Sequence, residues 1–147
     1  MAFEENAVRT VIEVLHDSQN GFSSLSEQLK DPTATNYFRE EAGTRGKYAS
    51  ELESALGSAT GKNVNEGGTA SGAVHRAWGE LKGKLGGSDH TLLDTAEQGE
   101  DAAKKAYEEV LKVRGLPANV RTLLQSQQSH ILASHDRVKA MRDAVAA

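Results

Sequence analysis

Four long segments of this 147-residue chain carry apolar residues at the three- and four-residue steps of an amphipathic helix. The first runs from about Phe3 to Lys30, the second from Pro32 to Leu56, the third from Thr91 to Arg114, and the fourth from Pro117 nearly to the C-terminus. Each helix must bury its apolar stripe against another element, and four such helices commonly form a bundle. The sequence therefore predicts an all-α chain with one shared core.

The connections between these segments predict how the helices are ordered. Asp31 and Pro32 form a cap and first-turn pair, so the first two helices meet almost directly and are antiparallel, as are the last two. Between the two pairs we expect a loop at Gly57 to Gly68 and a short helix at about Ala70 to Leu85 that runs back along the bundle. One long crossover of this kind is typical of ferritin-like folds. We predict a ferritin-like four-helix bundle with a short fifth helix in the crossover, forming a single domain over residues 1–147.

The composition of the chain limits which binding partners and which cellular compartment we expect. The formal net charge is −4, and the lysines and arginines are scattered singly among acids, so the sequence does not favour nucleic acid as a partner. It has no apolar run of the roughly 20 residues that a membrane span needs. The N-terminal MAFEENAVRT lacks the basic start and apolar run of a signal peptide, and the absence of cysteine is compatible with a reducing compartment. We expect a cytoplasmic protein.

Polar residues interrupt the apolar stripes near the middle of the long helices. At 100° per residue, seven of them face inward, namely Ser18, Ser26, Glu41, Arg45, Glu100, Gln127 and Ser134. Arg45 follows Glu41 by four residues on the same helix face and can also reach across to Glu100. We predict a core polar network of Glu41, Arg45, Glu100 and Gln127 and favour no metal or other cofactor there.

A metal site is the alternative interpretation of the same residues. A di-iron site in a bundle takes a glutamate from each of two helices and a Glu-x-x-His from each of the others. This chain supplies two inward carboxylates and no central histidine, and Arg45 brings a positive charge to the place of the ions. If Arg45 turned outward, iron or manganese could bind at Glu41, Glu100 and His130.

We expect the other candidate metal ligands and polar groups to have structural roles or to face solvent. Glu13 and His16 form a Glu-x-x-His, but they lie on the side of the first helix away from its apolar stripe. His130 and His135 are about 140° apart around their helix and cannot easily share one ion. Three tyrosines are expected to pack in the bundle with their hydroxyl groups at its rim: Tyr37, Tyr48 and Tyr107.

Two segments carry a resemblance to a known family. They are SGAVHRAWGELKG, from Ser71 to Gly83, and AEQGEDAAKKAYEEVL, from Ala96 to Leu111. With VIEVLHDSQNGF in the first helix and ASHDRVKAMRDA in the last, the chain resembles a bacterial ferritin-like family of unknown function. The resemblance implies a four-helix bundle and a bacterial origin, and no agreed activity. Similar sequences often carry glutamate where this chain has Thr44, which further weakens an inherited metal site.

Two main functional hypotheses follow from the sequence, beside a third, capture of a small apolar ligand between helices, that the frequent glycine and alanine on helix flanks leave open. The first is a non-enzymatic bundle that self-associates or binds a protein partner as a binding or stress-related module. The second is a ferritin-like metal-binding protein or oxidase that uses the reduced carboxylate and histidine site.

Overall fold

Four α-helices make up most of the described chain, as predicted. The computed structural model describes residues 5–60 and 88–145, and within those ranges it contains no strand. The helices are α1 at Glu5–Gln28, α2 at Pro32–Thr60, α3 at Asp89–Val110 and α4 at Ala118–Ala144. The all-α class is thus confirmed, whereas the predicted crossover and its short helix lie outside the described residues. None of the described helices combines the length and the apolar character that crossing a bilayer requires.

A side chain caps the N-terminus of each of the helices α2 and α3. A carboxylate oxygen of Asp31 accepts a hydrogen bond from the backbone N–H of Ala34 at 2.8 Å, so Asp31 caps α2 as predicted. Ser88 Oγ accepts from the backbone N–H of Thr91 at 3.2 Å and caps α3 in the same way. Each cap satisfies an amide that the first helical turn leaves without an internal partner.

The predicted end of α2 was wrong. The helix continues past Leu56 to Thr60, into the segment that was expected to be a loop. Gly57 costs about 1 kcal/mol relative to alanine inside a helix, but the surrounding alanine and leucine residues favour the helical state. A single glycine is therefore too weak a signal to end this helix.

The predicted end of α3 was also too late. The helix stops at Val110, four residues before Arg114, and Leu111 is its C-cap. The Arg121 guanidinium donates to the carbonyl oxygens of Leu111 at 3.2 Å and Val113 at 2.9 Å, which satisfies groups outside the helical ladder. Gly115 then turns the chain with a φ of 80°, a left-handed conformation that favours glycine.

Each helix packs against two of the others. α1 contacts α2 and α3, and α4 contacts the same two helices, so α1 lies diagonally opposite α4. The Asp89 carboxylate at the start of α3 accepts from the backbone N–H groups of Lys30 and Asp31 at 2.9 and 3.0 Å. Because this contact puts the start of α3 beside the start of α2, those two helices run in the same direction and α1 runs against both.

Cross-helix hydrogen bonds set the direction of α4. Tyr37, early in α2, bonds Ser134, late in α4, whereas Tyr48, later in α2, bonds Gln127, earlier in α4. The two helices are therefore antiparallel, and the order of directions is up, down, down, up. The end of α2 and the start of α3 consequently lie at opposite ends of the bundle.

The core is built from the apolar stripes. The apolar stripes of the four described helices are buried, except near the end of α4, where Met141 and Val145 are only half-buried. Tyr107 is fully buried as well, so the expectation that its hydroxyl group lies at the rim was wrong. The helices thus enclose a continuous apolar interior into which a few polar side chains project.

Candidate functional site

Arg45 lies at the centre of the bundle between two glutamates. Its side chain is fully buried, with a relative exposure of 0%. Arg45 Nε donates to Glu41 Oε2 at 2.7 Å, and Arg45 Nη2 donates to Glu100 Oε2 at 2.9 Å. Arg45 Nη1 lies 2.8 Å from Glu100 Oε1, so the guanidinium faces Glu100 with both terminal nitrogens. α2 supplies one acid from the same face, and α3 supplies the other from across the core.

His130 of α4 is the second group on Glu41. Its Nε2 lies 2.9 Å from Glu41 Oε1 and 3.0 Å from Oε2. An ionised carboxylate only accepts, so Nε2 must carry the hydrogen of these bonds. A metal ion at Nε2 would have to displace that hydrogen, and Glu41 is held between a guanidinium and an imidazole.

Ser134 and Tyr37 complete the contacts of Glu100. Ser134 Oγ donates to Glu100 Oε2 at 2.5 Å and accepts from Arg45 Nη2 at 3.1 Å. Because the only hydrogen of that hydroxyl group is used on Glu100, the Tyr37 hydroxyl is the donor in its 2.6 Å bond to Ser134 Oγ. The acid therefore sits at the end of a directed chain of hydrogen bonds from Tyr37.

Burial and the ion pairs act on the pKa values of this cluster. Burial alone lowers the pKa of Arg45, but the attraction of Glu100 and Glu41 outweighs it and raises that pKa, so the guanidinium stays charged. Burial also raises the pKa of Tyr37 to about 12, partly offset by its bond to Ser134. The Phe22 ring lies 4.8 Å from the guanidinium carbon and adds a cation–π contact.

Gln127 does not join the Arg45 cluster through any described hydrogen bond. Gln127 Oε1 accepts from the Tyr107 hydroxyl at 2.8 Å, and Gln127 Nε2 donates to the carbonyl oxygen of Tyr48 at 3.3 Å. These bonds form a second buried polar pair nearer the end of α2. The structure thus brings Glu41, Arg45 and Glu100 together and places Gln127 in a separate pair.

Sequence reasoning grouped His130 with Glu41 and Glu100 only as an alternative metal site, and it missed the part played by Tyr37. His130 is half-buried and lies at the edge of the apolar stripe of α4, so its angle alone did not place it in the core. Tyr37 was expected at the rim, although its hydroxyl group points to Ser134. The usable signal was Ser134, an inward serine one turn after His130 on the helix that faces α2.

A second polar cluster lies at the boundary of α3 and α4. His135 Nε2 is 2.6 Å from Asp101 Oδ1, and His135 Nδ1 is 3.1 Å from Asp136 Oδ1. Glu97 lies one turn before Asp101, and ligand atoms of Glu97, Asp101 and His135 all fall within 4.8 Å of one another. Arg142 contacts Glu97 and lies 3.4 Å from Asp94. We call Glu97, Asp101 and His135 the rim triad.

The residues of the core do not fit a di-iron site. Such a site requires carboxylates from all four helices and two histidines. The described core supplies Glu41, Glu100 and His130, and the guanidinium occupies the space between the two acids. The hydrogen on His130 Nε2 also points at the carboxylate that a metal ion would need. The chemistry of this donor set is that of an ion-pair network.

The comparison with protein families identifies this chain. Residues 4–113 match the model of a domain of unknown function, DUF2383, which covers well over half of the 147 residues, so the chain belongs to that family. No curated protein matches the chain. Membership carries no assigned activity, and the function must be argued from the site.

Proposed function

We propose that this member of the DUF2383 family is a non-enzymatic, ferritin-like helical bundle in which Arg45 takes the place of metal ions. The observation that carries the proposal is the fully buried guanidinium between Glu41 and Glu100. The single positive charge of Arg45 offsets part of the negative charge of the two acids. Hydrogen bonds from His130 to Glu41 and from Ser134 to Glu100 stabilise the negative charge that remains. The protein then acts through its outer surface, by self-association or with a protein partner, as a binding or stress-related module in the bacterial cytoplasm.

The order of helix directions supports the ferritin-like part of the proposal. Up, down, down, up requires one connection that returns along the bundle, and ferritin-like folds have one such crossover. The end of α2 and the start of α3 lie at opposite ends, as that connection requires. The resemblance noted in the sequence supports the bacterial origin in this proposal.

The charge arrangement argues against a metal ion beside Arg45. Two unit charges about 4 Å apart repel by about 4 kcal/mol at an effective dielectric constant of 20. A divalent cation doubles that repulsion and would also have to displace the short bonds to Glu41 and Glu100. The guanidinium is planar and always charged, so it cannot yield the site by losing a proton.

Metal analysis of untagged protein, grown with added iron and manganese and purified without chelators, tests this proposal. We use an Asp101→Asn background so that ions held by the rim triad are not counted. The expected content is far below one ion per chain, unchanged by Glu41→Ala or Glu100→Ala. Near-stoichiometric iron or manganese that disappears with either substitution would contradict the proposal.

A second candidate function is a ferritin-like metal-binding protein or oxidase that uses Glu41, Glu100 and His130. The contact between His130 and Glu41 favours it, because it brings a histidine to one of the two core acids. This function requires Arg45 to leave the core. Iron-dependent oxygen consumption separates the two candidates: uptake that Glu41→Ala abolishes supports the oxidase, and no uptake by iron-loaded protein rejects it.

Association is tested by sedimentation velocity over a range of protein concentrations. Our proposal of self-association predicts a sedimentation coefficient that rises with concentration toward that of a dimer or larger species. A monomer at all concentrations would leave binding of a different protein as the remaining form of the proposal.

A further inference from the structure

We infer that the rim triad of Glu97, Asp101 and His135 is a binding site for one divalent first-row metal ion such as Zn²⁺. The site is separate from the core cluster and does not depend on the proposed function. It lies where α3 and α4 pack together, and it opens to solvent through Asp101, whose side chain is 60% exposed.

The helices place the three ligands on one surface. Glu97 and Asp101 are four residues apart on α3, so they project from the same face, and His135 approaches from α4. The ligand atoms lie within 4.8 Å of one another. A tetrahedral ion about 2.1 Å from its ligands separates them by about 3.4 Å, so the widest pair must close by at most about 1.4 Å. Rotation of the two carboxylate side chains provides such a movement.

Asp136 prepares His135 to bind a metal ion. Its carboxylate lies 3.1 Å from His135 Nδ1 and accepts the hydrogen of that nitrogen. His135 Nε2 lies 2.6 Å from Asp101 Oδ1 and shares a hydrogen with that carboxylate. An ion binds by displacing this hydrogen, while Asp136 holds the one on Nδ1. A carboxylate, a histidine and a metal in this order form a recurrent arrangement in which the outer acid sets the tautomer and orients the ring. His135 is 9% exposed, so packing holds its ring in place.

The ligand set selects the kind of ion. One imidazole and two carboxylates suit Zn²⁺ and its neighbours in the first transition series better than Ca²⁺ or Mg²⁺, which prefer oxygen ligands alone. Three protein ligands leave one position of a tetrahedral ion to water. The core differs, because the buried Arg45 guanidinium occupies the space between Glu41 and Glu100.

Arg142 is the competing cation of this site. It contacts Glu97 and Asp94, and its guanidinium also donates to Asp143 at 2.9 Å. If the Glu97 carboxylate rotates to bind an ion, Arg142 can retain its ion pairs with Asp94 and Asp143. Arg142 must therefore weaken the affinity for a metal without preventing binding, and its removal should strengthen binding.

Isothermal titration of untagged protein with ZnCl2 tests the inference. The expected result is one Zn²⁺ per chain, weakened at least about 10-fold by Asp101→Asn and by His135→Gln, and by about 10-fold in Asp136→Asn through the outer carboxylate. Arg142→Gln should bind more tightly than the wild type. Circular dichroism of the metal-free variants verifies that they fold. If His135→Gln does not fold, Asp101→Asn alone still tests the inference.

Matched controls separate a specific site from general acidic attraction. Glu108→Gln removes the same charge from an exposed position on α3, and His90→Gln removes a histidine elsewhere. Both should bind Zn²⁺ as the wild type does. In long-range ¹H–¹⁵N spectra, Zn²⁺ should shift the His135 Nε2 resonance and leave that of His130 unchanged. No binding by the wild type, or binding that Asp101→Asn and His135→Gln leave unaltered, overturns the inference.

Discussion

The core cluster, formed by Arg45, Glu41, Glu100 and His130, and the rim triad with its neighbour Arg142 contain the same kinds of side chain in opposite surroundings. Each group has an arginine, two carboxylates and a histidine from α4. Arg45 is completely buried and bonds two acids, whereas the Arg142 side chain is 23% exposed and shares its donors among three acids. Burial makes the Arg45 pairs obligatory because neither partner can return to water, while the rim groups can exchange partners. The comparison gives the physical basis of both proposals, namely that the core cluster excludes a metal ion and that the rim triad can bind one.

The largest expected effect is that of removing each arginine in turn. Arg45→Ala should lower the free energy of unfolding by about 3 to 5 kcal/mol, since it leaves Glu41 and Glu100 buried without their counter-charge. Arg142→Ala should cost less than about 1 kcal/mol, because its partners remain hydrated. Urea unfolding followed by circular dichroism measures both. A loss below about 1 kcal/mol for Arg45→Ala would mean that its charge reaches solvent.

A control tests whether the loss of stability in Arg45→Ala arises because Glu41 and Glu100 are left buried without a counter-charge. The combination of Arg45→Met with Glu41→Gln and Glu100→Gln removes all three charges from the core. It should recover a large part of the stability lost in Arg45→Ala, because well-packed neutral replacements of a buried ion pair are often nearly neutral. No recovery would assign the loss to packing of the arginine stem.

The second prediction concerns the other buried polar pair. Tyr107→Phe removes the donor to Gln127 Oε1 and leaves that atom buried without its 2.8 Å bond. The cost should be about 1 to 3 kcal/mol in urea unfolding. Tyr48→Phe is the matched control, since its ring is half-buried and its hydroxyl group makes no hydrogen bond to the described residues. Equal losses in the two variants would show that burial of the acceptor does not decide the cost.

The third prediction is that Tyr37, in the core cluster, makes stability depend on alkaline pH, whereas Arg142 at the rim does not. The pKa of Tyr37 is raised from 10.0 to about 12, so folding favours its protonated form. Its contribution is fully present below pH 10 and is lost as the pH rises toward 12. After allowance for its partial exposure, it amounts to on the order of 1 kcal/mol.

Unfolding free energies measured between pH 9 and 12 test this contribution. Tyr37→Phe should make the decline between pH 10 and 12 less steep than in the wild type without removing it, because burial also raises the pKa values of Tyr107 and Tyr48. Tyrosinate absorbance should show one fewer group that titrates late. Arg142→Ala should leave the slope unchanged, because the rim cluster contains no tyrosine. An identical slope in Tyr37→Phe would place its hydroxyl group in solvent.

The smallest predicted effect contrasts two glycines that flank Arg45 on α2. A Cβ at Gly43 would meet no atom within 4 Å, so Gly43→Ala should stabilise the helix by about 0.5 to 1 kcal/mol. A Cβ at Gly46 would lie 2.5 Å from the amide nitrogen of Gln19, so that side chain must move and the gain shrinks or reverses. Thermal unfolding of the two variants measures the difference. Equal stabilisation would mean that α1 does not pack closely at Gly46.

The helical fold and the pair of Glu41 with Arg45 could be predicted because both follow from angles within single helices. A stripe of apolar residues identifies a core face, and Glu41 and Arg45 lie on that face four residues apart. Helix ends were less predictable, since Arg121 stabilises carbonyl groups after Val110 from the following helix. No local pattern in α3 reports that contact.

Contacts between helices could not be predicted in the same way. The rim triad joins Asp101 to His135, and its existence depends on the axial offset and rotation of α3 against α4. The same limit applies to His130, whose reach to Glu41 depends on how α4 sits beside α2, and to Gln127, which lies about two turns before Ser134 and meets Tyr107 instead. The angular positions of residues on one helix predict which side chains face inward, but they do not predict which residues of other helices those side chains contact.

Anomalous diffraction from crystals of Asp101→Asn protein grown with Mn²⁺ or Fe²⁺ tests the central claim most directly. Data collected at the absorption edge of the metal locate any ion without reliance on geometry. We predict no anomalous peak between Glu41 and Glu100, and clear density for the Arg45 guanidinium bonded to both acids. An anomalous peak that bridges those two carboxylates, with Arg45 turned toward solvent, would contradict the account.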